Sequence, residues 1–337
     1  MNLIKMMMQE LLYSTLMTMV VVGLLWILAK FDFIYHQHTV VLERSPHRKR
    51  VQNWGRIIDI LFLPALLGYL WRIHDLGRMT KKYVFSNLSM FQQLVFLGFV
   101  FLCLFTIGFL LWPAFRHEIM CKFKLNPQKY LHRAIVCVLL AVLIENAFTL
   151  SIHSDGYSLI GFSGGLSETS TLSSPLSGAM ALLFVGWGTT TSYNWRGALT
   201  RLGLNRKPAW GTFFFVCLLL VAFVAIQKFM ISFVHSGEPK HTIGFIPLLY
   251  MMATVPDILN GIGDELLFRG ILQPRIGIWL SSIVFTLVHM PYDWITLLWT
   301  LAASLLLGWI ARRYSLWLSI WFHVIYSVVF NTVSTFQ

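Results

Sequence analysis

The sequence predicts an all-α protein, a polytopic bundle of about nine or ten transmembrane helices. Three observations lead there. Of 337 residues, 57% are hydrophobic and only 12% charged, where soluble domains run about 45–50% apolar and about 25% charged. Mean hydropathy is +0.68 and 15% of residues are aromatic, which argues against disorder and against a secreted disulfide scaffold. The apolar stretches are continuous rather than alternating, so a transmembrane barrel is disfavoured.

A span needs about 20 apolar residues to cross the hydrocarbon core. Six stretches meet that length well: 11–29, 93–112, 134–152, 211–234, 293–311 and 316–335. Shorter or more broken candidates are 57–71, 178–192, 243–257 and the pair 264–273 and 276–290. No small-residue cleavage site follows the first stretch, which runs on through Ala29-Lys30-Phe31 and reads as a retained anchor. Residues 1–175 are read as extra N-terminal transmembrane helices and 176–337 as the core. Before about residue 175 polar residues cluster in loops; after 255 they enter the apolar segments.

The formal charge of +12 would suggest nucleic acid in a soluble protein. Here it reads as basic loops facing anionic lipid, so the expected partner is the bilayer and not nucleic acid. With the N-terminus outside, the loops 30–56, 113–133, 192–210, 269–275 and 312–313 gather most of the Lys and Arg inside. The loop 72–90, with Arg72, Arg78, Lys81 and Lys82, is the exception and leaves the orientation open. His47-Arg48-Lys49-Arg50 fits a lipid-facing loop, the thirteen tryptophans fit interfacial belts, and Glu145-Asn146 fits hydrogen bonding between helices. The four cysteines form no CxxC pair and indicate neither a disulfide framework nor a thiolate metal site.

Chemistry concentrates in Gly261-Ile262-Gly263-Asp264-Glu265-Leu266-Leu267-Phe268-Arg269-Gly270. A charge at the bilayer centre costs about 2.5–3.5 kcal/mol on insertion scales, so ionisable groups there are functional candidates. The two glycines favour a break, after which Asp264 would serve as N-cap of a new helix. Glu265 and Arg269, four apart in acid-first order, suit a helical ion pair that leaves Asp264 to face a cavity. His289 closes one later span, and His323 lies within another, with Ser327 and Asn331 one and two turns on. A carboxylate pair and two histidines are what water activation needs: one group takes the proton, one positions water, one donates to the oxyanion.

With these residues in hand, the chain resembles the CPBP (CAAX protease and bacteriocin-processing) intramembrane proteases, also called the Abi family. Their motifs are EExxxR, FxxxH and HxxxN or HxxxD on separate transmembrane helices. The resemblance covers about 255–335, through Asp264 to Gly270, Phe285 to His289, the small residues around Gly308, and Ser315 to His323. It implies a CPBP-like core in the C-terminal half of a multi-pass protein of a bacterial cytoplasmic membrane. Its activity would be an intramembrane endopeptidase acting on a peptide or membrane-protein substrate near the membrane surface. On that footing Asp264 is the general base, His289 orients water, Glu265–Arg269 braces the site, and His323 stabilises the oxyanion.

Two positions depart from the pattern: Asp264 stands where the family has Glu, and Ser327 where it has Asn or Asp. A carboxylate one methylene shorter can cost around a hundredfold if the backbone does not compensate. The departures keep a second reading open, a catalytically silent membrane scaffold or regulator of a partner protein. A transporter ranks last, because the polar groups gather at one level. Metal dependence also stays open: Glu265, His289 and His323 would supply the ligand set of a divalent cation such as zinc, but no HExxH motif supports it.

Overall fold

The computed structural model describes residues 19–33, 90–152, 168–187, 194–206, 208–234, 258–289 and 294–335. All regular elements among them are helices. In chain order they are α1 (19–33), α2 (Met90–Leu111), α3 (Pro113–Lys122), α4 (Tyr130–Ile152), α5 (Glu168–Phe184), α6 (Trp195–Leu202) and α7 (Trp210–Val234). Then come α8 (Ile258–Val288), α9 (Trp294–Arg313) and α10 (Leu316–Thr335). Met90–Leu111, Trp210–Gln227 and Ile258–Val288 are long and apolar enough to cross a membrane, and shorter apolar helices accompany them. The protein is a helical membrane bundle. The candidates 57–71 and 243–257, and the side chains of Glu145 and Asn146, lie outside the described residues.

Two compact units divide the chain: Met1–Leu24, Gly164–Ile283 and Trp299–Gln337 form one, Leu25–Ser163 and Val284–Leu298 the other. In the second unit, α4 begins against Asp32, whose two carboxylate oxygens accept from the backbone N–H groups of Tyr130 and Leu131 at 2.8 Å each. The first N–H groups of a helix have no partner within it, and a buried carboxylate satisfies two of them while opposing the helix dipole's positive end. Large apolar side chains of α2, Leu97, Phe101 and Leu104 among them, are exposed, as lipid-facing residues must be.

The first unit holds its helices by close packing, because lipid tails offer little hydrophobic drive for helix association. Val216 and Leu220 of α7, Leu307 and Ile310 of α9, and Leu318 and Phe322 of α10 form one buried cluster. Phe223 stacks on Trp299 at 4.2 Å, Trp299 Nε1 donates to Tyr326 Oη at 3.1 Å, and Tyr326 donates to Gln227 at 2.8 Å. This chain of donors satisfies polar groups that hydrocarbon could not.

The expected break ahead of Asp264 does not occur. Helix α8 runs through Gly261 and Gly263, and Asp264 has helical angles (φ −66°, ψ −42°) with no side-chain cap bond. The glycines instead permit close approach. A Cβ on Gly261 would meet Val324 Cγ2 at 2.9 Å and the Val324 backbone at 3.3 Å, while Gly178 of α5 packs against the Gly263 Cα. Replacing Gly261 with Ala should therefore lower stability by about 1–3 kcal/mol, read as an earlier thermal midpoint in detergent. An unchanged midpoint would show that α10 can shift to accommodate the methyl group.

The helix breaks later, at Gly277, whose backbone is left-handed (φ 81°, ψ 167°). The expected pair, 264–273 and 276–290, is instead one stretch, Ile258–Val288, kinked at Gly277, inside the second of them. Between Glu265 and Leu272 the helix is wider than an α-helix, each N–H reaching the carbonyl five residues back. Pro274, just beyond, has no N–H for the Gly270 carbonyl and crowds it, so the regular ladder cannot pass unchanged. The displaced Phe268 carbonyl accepts from the Gln273 N–H and from the Ser281 hydroxyl at 3.0 Å.

Candidate functional site

Glu265 sits at the centre of a buried polar network inside the first unit. Its side chain is fully buried (0% exposed), and Asp264, Arg269 and His323 are nearly so. Arg269 Nη1 lies 3.2 Å from Glu265 Oε1, the expected four-residue ion pair. His323 Nδ1 lies 3.0 Å from the same oxygen, and Ser319 Oγ contacts Oε2. Ser319 also reaches the Leu307 carbonyl at 3.0 Å. On the other side of the guanidinium, Nη2 donates to Ser304 Oγ at 3.1 Å and to the Ser304 carbonyl at 3.3 Å.

Each member follows from local sequence. The wide turns of α8 carry Glu265 and Arg269; α9 contributes Ser304; α10 contributes Ser319 and His323, one turn apart. A buried charge needs a partner and hydrogen bonds for its remaining lone pairs, and here both carboxylate oxygens are engaged. Because a carboxylate only accepts, His323 Nδ1 carries the proton toward it. That bond fixes the ring's orientation and leaves Nε2 as the nitrogen for chemistry.

Asp264, one residue before Glu265, has a carboxylate oxygen within 4.8 Å of a His323 ring nitrogen. Two polar atoms bridged by one water at about 2.8 Å per bond stand about 4.6 Å apart at tetrahedral angles, a separation that falls inside this limit. The two acids therefore divide: Glu265 is held, and Asp264 stands beside the imidazole.

His289 lies in the second unit, at the end of α8. Its Nδ1 is 2.9 Å from the Phe285 carbonyl, which selects the Nδ1–H tautomer. The ring stacks on Phe285 at 3.9 Å, and the side chain is exposed. The phenylalanine of the FxxxH pattern thus orients the histidine through its carbonyl and its ring together. Ser327, one turn after His323, is half-buried and takes no part in the network around Glu265; Ser319, one turn before, does. Sequence reasoning missed Ser319 and Ser304. The available signal was their helical spacing: Ser319 precedes His323 by four residues, and Ser304 precedes Gly308 by four.

The expected cation ligand set included Glu265. Arg269, His323 and Ser319 occupy three of the about four lone-pair sites of its carboxylate, so Glu265 is read as a bracing group and no metal role is assigned to it.

Residues 245–329 match the family described as Rce1-like, type II CAAX prenyl endopeptidase Rce1-like, in accord with the CPBP resemblance of this region. The match supports a CAAX-type, intramembrane protease-like function. The chain is also similar to a protein of Bacillus subtilis (strain 168) named "Uncharacterized protein YpbD", with 29% identity over 98 residues, 27% of this chain and 49% of that protein. The chain spans about half the length of this curated relative. No solved structure matches it.

Proposed function

We propose, from a C-terminal region that is Rce1-like across residues 245–329, that the protein is an intramembrane endopeptidase. It hydrolyses peptide bonds near the membrane surface by activated water. The observation that carries this reading is an Asp264 oxygen within 4.8 Å of a His323 ring nitrogen, with that ring pinned by Glu265 at 3.0 Å.

Water bridging Asp264 and His323 gives its proton to the Asp264 carboxylate as its oxygen attacks the scissile carbonyl carbon. The carbonyl oxygen becomes an oxyanion, and His323 donates to it from Nε2 while Nδ1–H stays on Glu265. Donation from both nitrogens uses the doubly protonated ring, in which each nitrogen carries one N–H. Collapse of the tetrahedral intermediate breaks the C–N bond, and the proton held by Asp264 passes to the leaving amine. On the CPBP resemblance alone, His289 carries the water-orienting role of the FxxxH motif. Arg269 balances Glu265, and Ser304 and Ser319 hold that pair in place. No step is assigned to a metal. Similarity to a Bacillus protein supports a bacterial cytoplasmic membrane as the location.

The test is proteolysis of a peptide library by protein reconstituted in vesicles, comparing wild type with Asp264→Asn and His289→Ala. Cleavage by wild type with loss in both variants supports the assignment. Equal turnover in all three excludes this site, and absence of cleavage by folded wild type would favour a scaffold.

A further inference from the structure

A second polar feature of the first unit lies apart from Glu265, further along α8. A cavity of about 250 Å³ is lined by Phe184, Val185, Arg201, Ile271 and Arg275. Two of these five residues are arginines and none is a carboxylate. Arg201 Nη1 donates to the Val185 carbonyl at 3.0 Å, and Arg275 Nη1 to the Ile271 carbonyl at 2.6 Å. The Arg275 guanidinium also lies 4.4 Å from the Phe184 ring centroid. Both cations are thereby oriented before any ligand arrives. A guanidinium has five N–H donors, so at Arg275 the carbonyl bond uses one and leaves the planar fork that suits phosphate oxygens.

In chain order, one wall of this cavity adjoins the start of a spanning helix. Helix α6 is capped at both ends, by the Asn194 side chain on the Gly197 N–H and by Gly203 in the left-handed region (φ 82°). It buries Ala198 and Leu202 while Arg196 and Arg201 are exposed. It immediately precedes the spanning helix α7, so it sits where that span leaves the hydrocarbon. Exposed Trp195 begins it, and exposed Trp187 and Trp210 precede and follow it in the chain; Trp187 packs edge to face on Trp195 at 5.7 Å. Tryptophan in this setting marks the headgroup level. Arg312 and Arg313 end α9 just before Leu316, and Leu316 and Leu202 both pack against Gly270.

We infer that the Arg201–Arg275 cavity binds the phosphodiester headgroup of an anionic phospholipid. Two guanidiniums lining one cavity select a phosphate oxygen pair bearing net negative charge. The volume admits a headgroup and falls below the about 300–1,000 Å³ of sites for drug-sized ligands. The flanking tryptophans hold the lipid's glycerol level beside it. This site serves lipid recognition and is independent of the proposed hydrolysis.

The experiment titrates the detergent-purified full chain with short-chain phosphatidylglycerol, short-chain phosphatidylcholine or inorganic phosphate, and follows the thermal midpoint. Phosphatidylglycerol should raise the midpoint saturably, well below the concentrations at which the other two act. Arg201→Gln and Arg275→Gln should each weaken the apparent affinity about tenfold or more, Arg275→Lys less, and Arg312→Gln little. Helical circular dichroism confirms that each variant is folded. Wild-type affinity in both glutamine variants overturns the proposal, as does equal stabilisation by phosphatidylcholine. Saturation by inorganic phosphate at the same concentration as the lipid assigns the site to a free anion and overturns the lipid reading.

Discussion

Replacing Asp264 with Asn is expected to lower kcat by about 10²–10⁴-fold, the usual worth of a positioned general base. The amide has nearly the same size and stays within reach of the same neighbours, but it cannot accept the proton from attacking water. Asp264 is 2% exposed, so the variant exchanges a buried carboxylate for a neutral group and should keep its thermal midpoint within a few degrees. The pair of measurements is initial cleavage rate in vesicles and melting in detergent. Lost activity with retained stability assigns chemistry to Asp264; parallel loss of both would make it a structural residue. Asp264→Glu adds the methylene that the family pattern carries. It should retain turnover, since the carboxylate remains and can turn toward the same water.

The second large effect concerns folding. Arg269→Ala should destabilise the protein by about 3–5 kcal/mol, because it leaves the fully buried Glu265 carboxylate without its counter-charge. The mechanism predicts recovery in a second variant. Removing both partners, as Glu265→Leu with Arg269→Met, replaces a buried pair by apolar groups of similar bulk and should restore most of the stability. It should leave the protein inactive, because His323 loses the group that pins Nδ1. Chemical or thermal unfolding of the three forms, each beside its cleavage rate, tests the separation. A double variant no more stable than Arg269→Ala would mean that Ser304 and Ser319 depend on the charges to fold.

Much of this was legible in the chain because membrane solvation writes it plainly. The apolar run of 211–234 foretells α7 (Trp210–Val234) nearly to the residue, and 316–335 foretells α10. Glu265 and Arg269 were legible as a pair because two opposite charges four apart in an apolar stretch have few other ways to exist there. The glycines before Asp264 were ambiguous, since one residue type serves both a break and a close approach. The choice was decided by Val324 and Gly178, far away in sequence, and no local pattern holds that information. Ser319 and Ser304 were hidden for a related reason. Serine is common as a small packing residue between membrane helices, so only the arrival of Glu265 and Arg269 beside them reveals their polar role. The wide turns of 265–272 were invisible because the choice of hydrogen-bond partner along a helix leaves little trace in composition, although Pro274 marks where they end.

Those wide turns make the phase of α8 adjustable. In an ordinary helix a one-residue deletion swings everything beyond it by about 100°, which in a membrane turns an inward face toward lipid. Within 265–272, a deletion could be absorbed by tightening the coil to the common pitch, so the protein should still insert and fold. The reorientation would then be confined to the side chains within 265–272, Glu265 and Arg269 among them, while the span on either side keeps its faces. Length variants of this stretch are thus a means of uncoupling chemistry from assembly without altering a single side chain outside it.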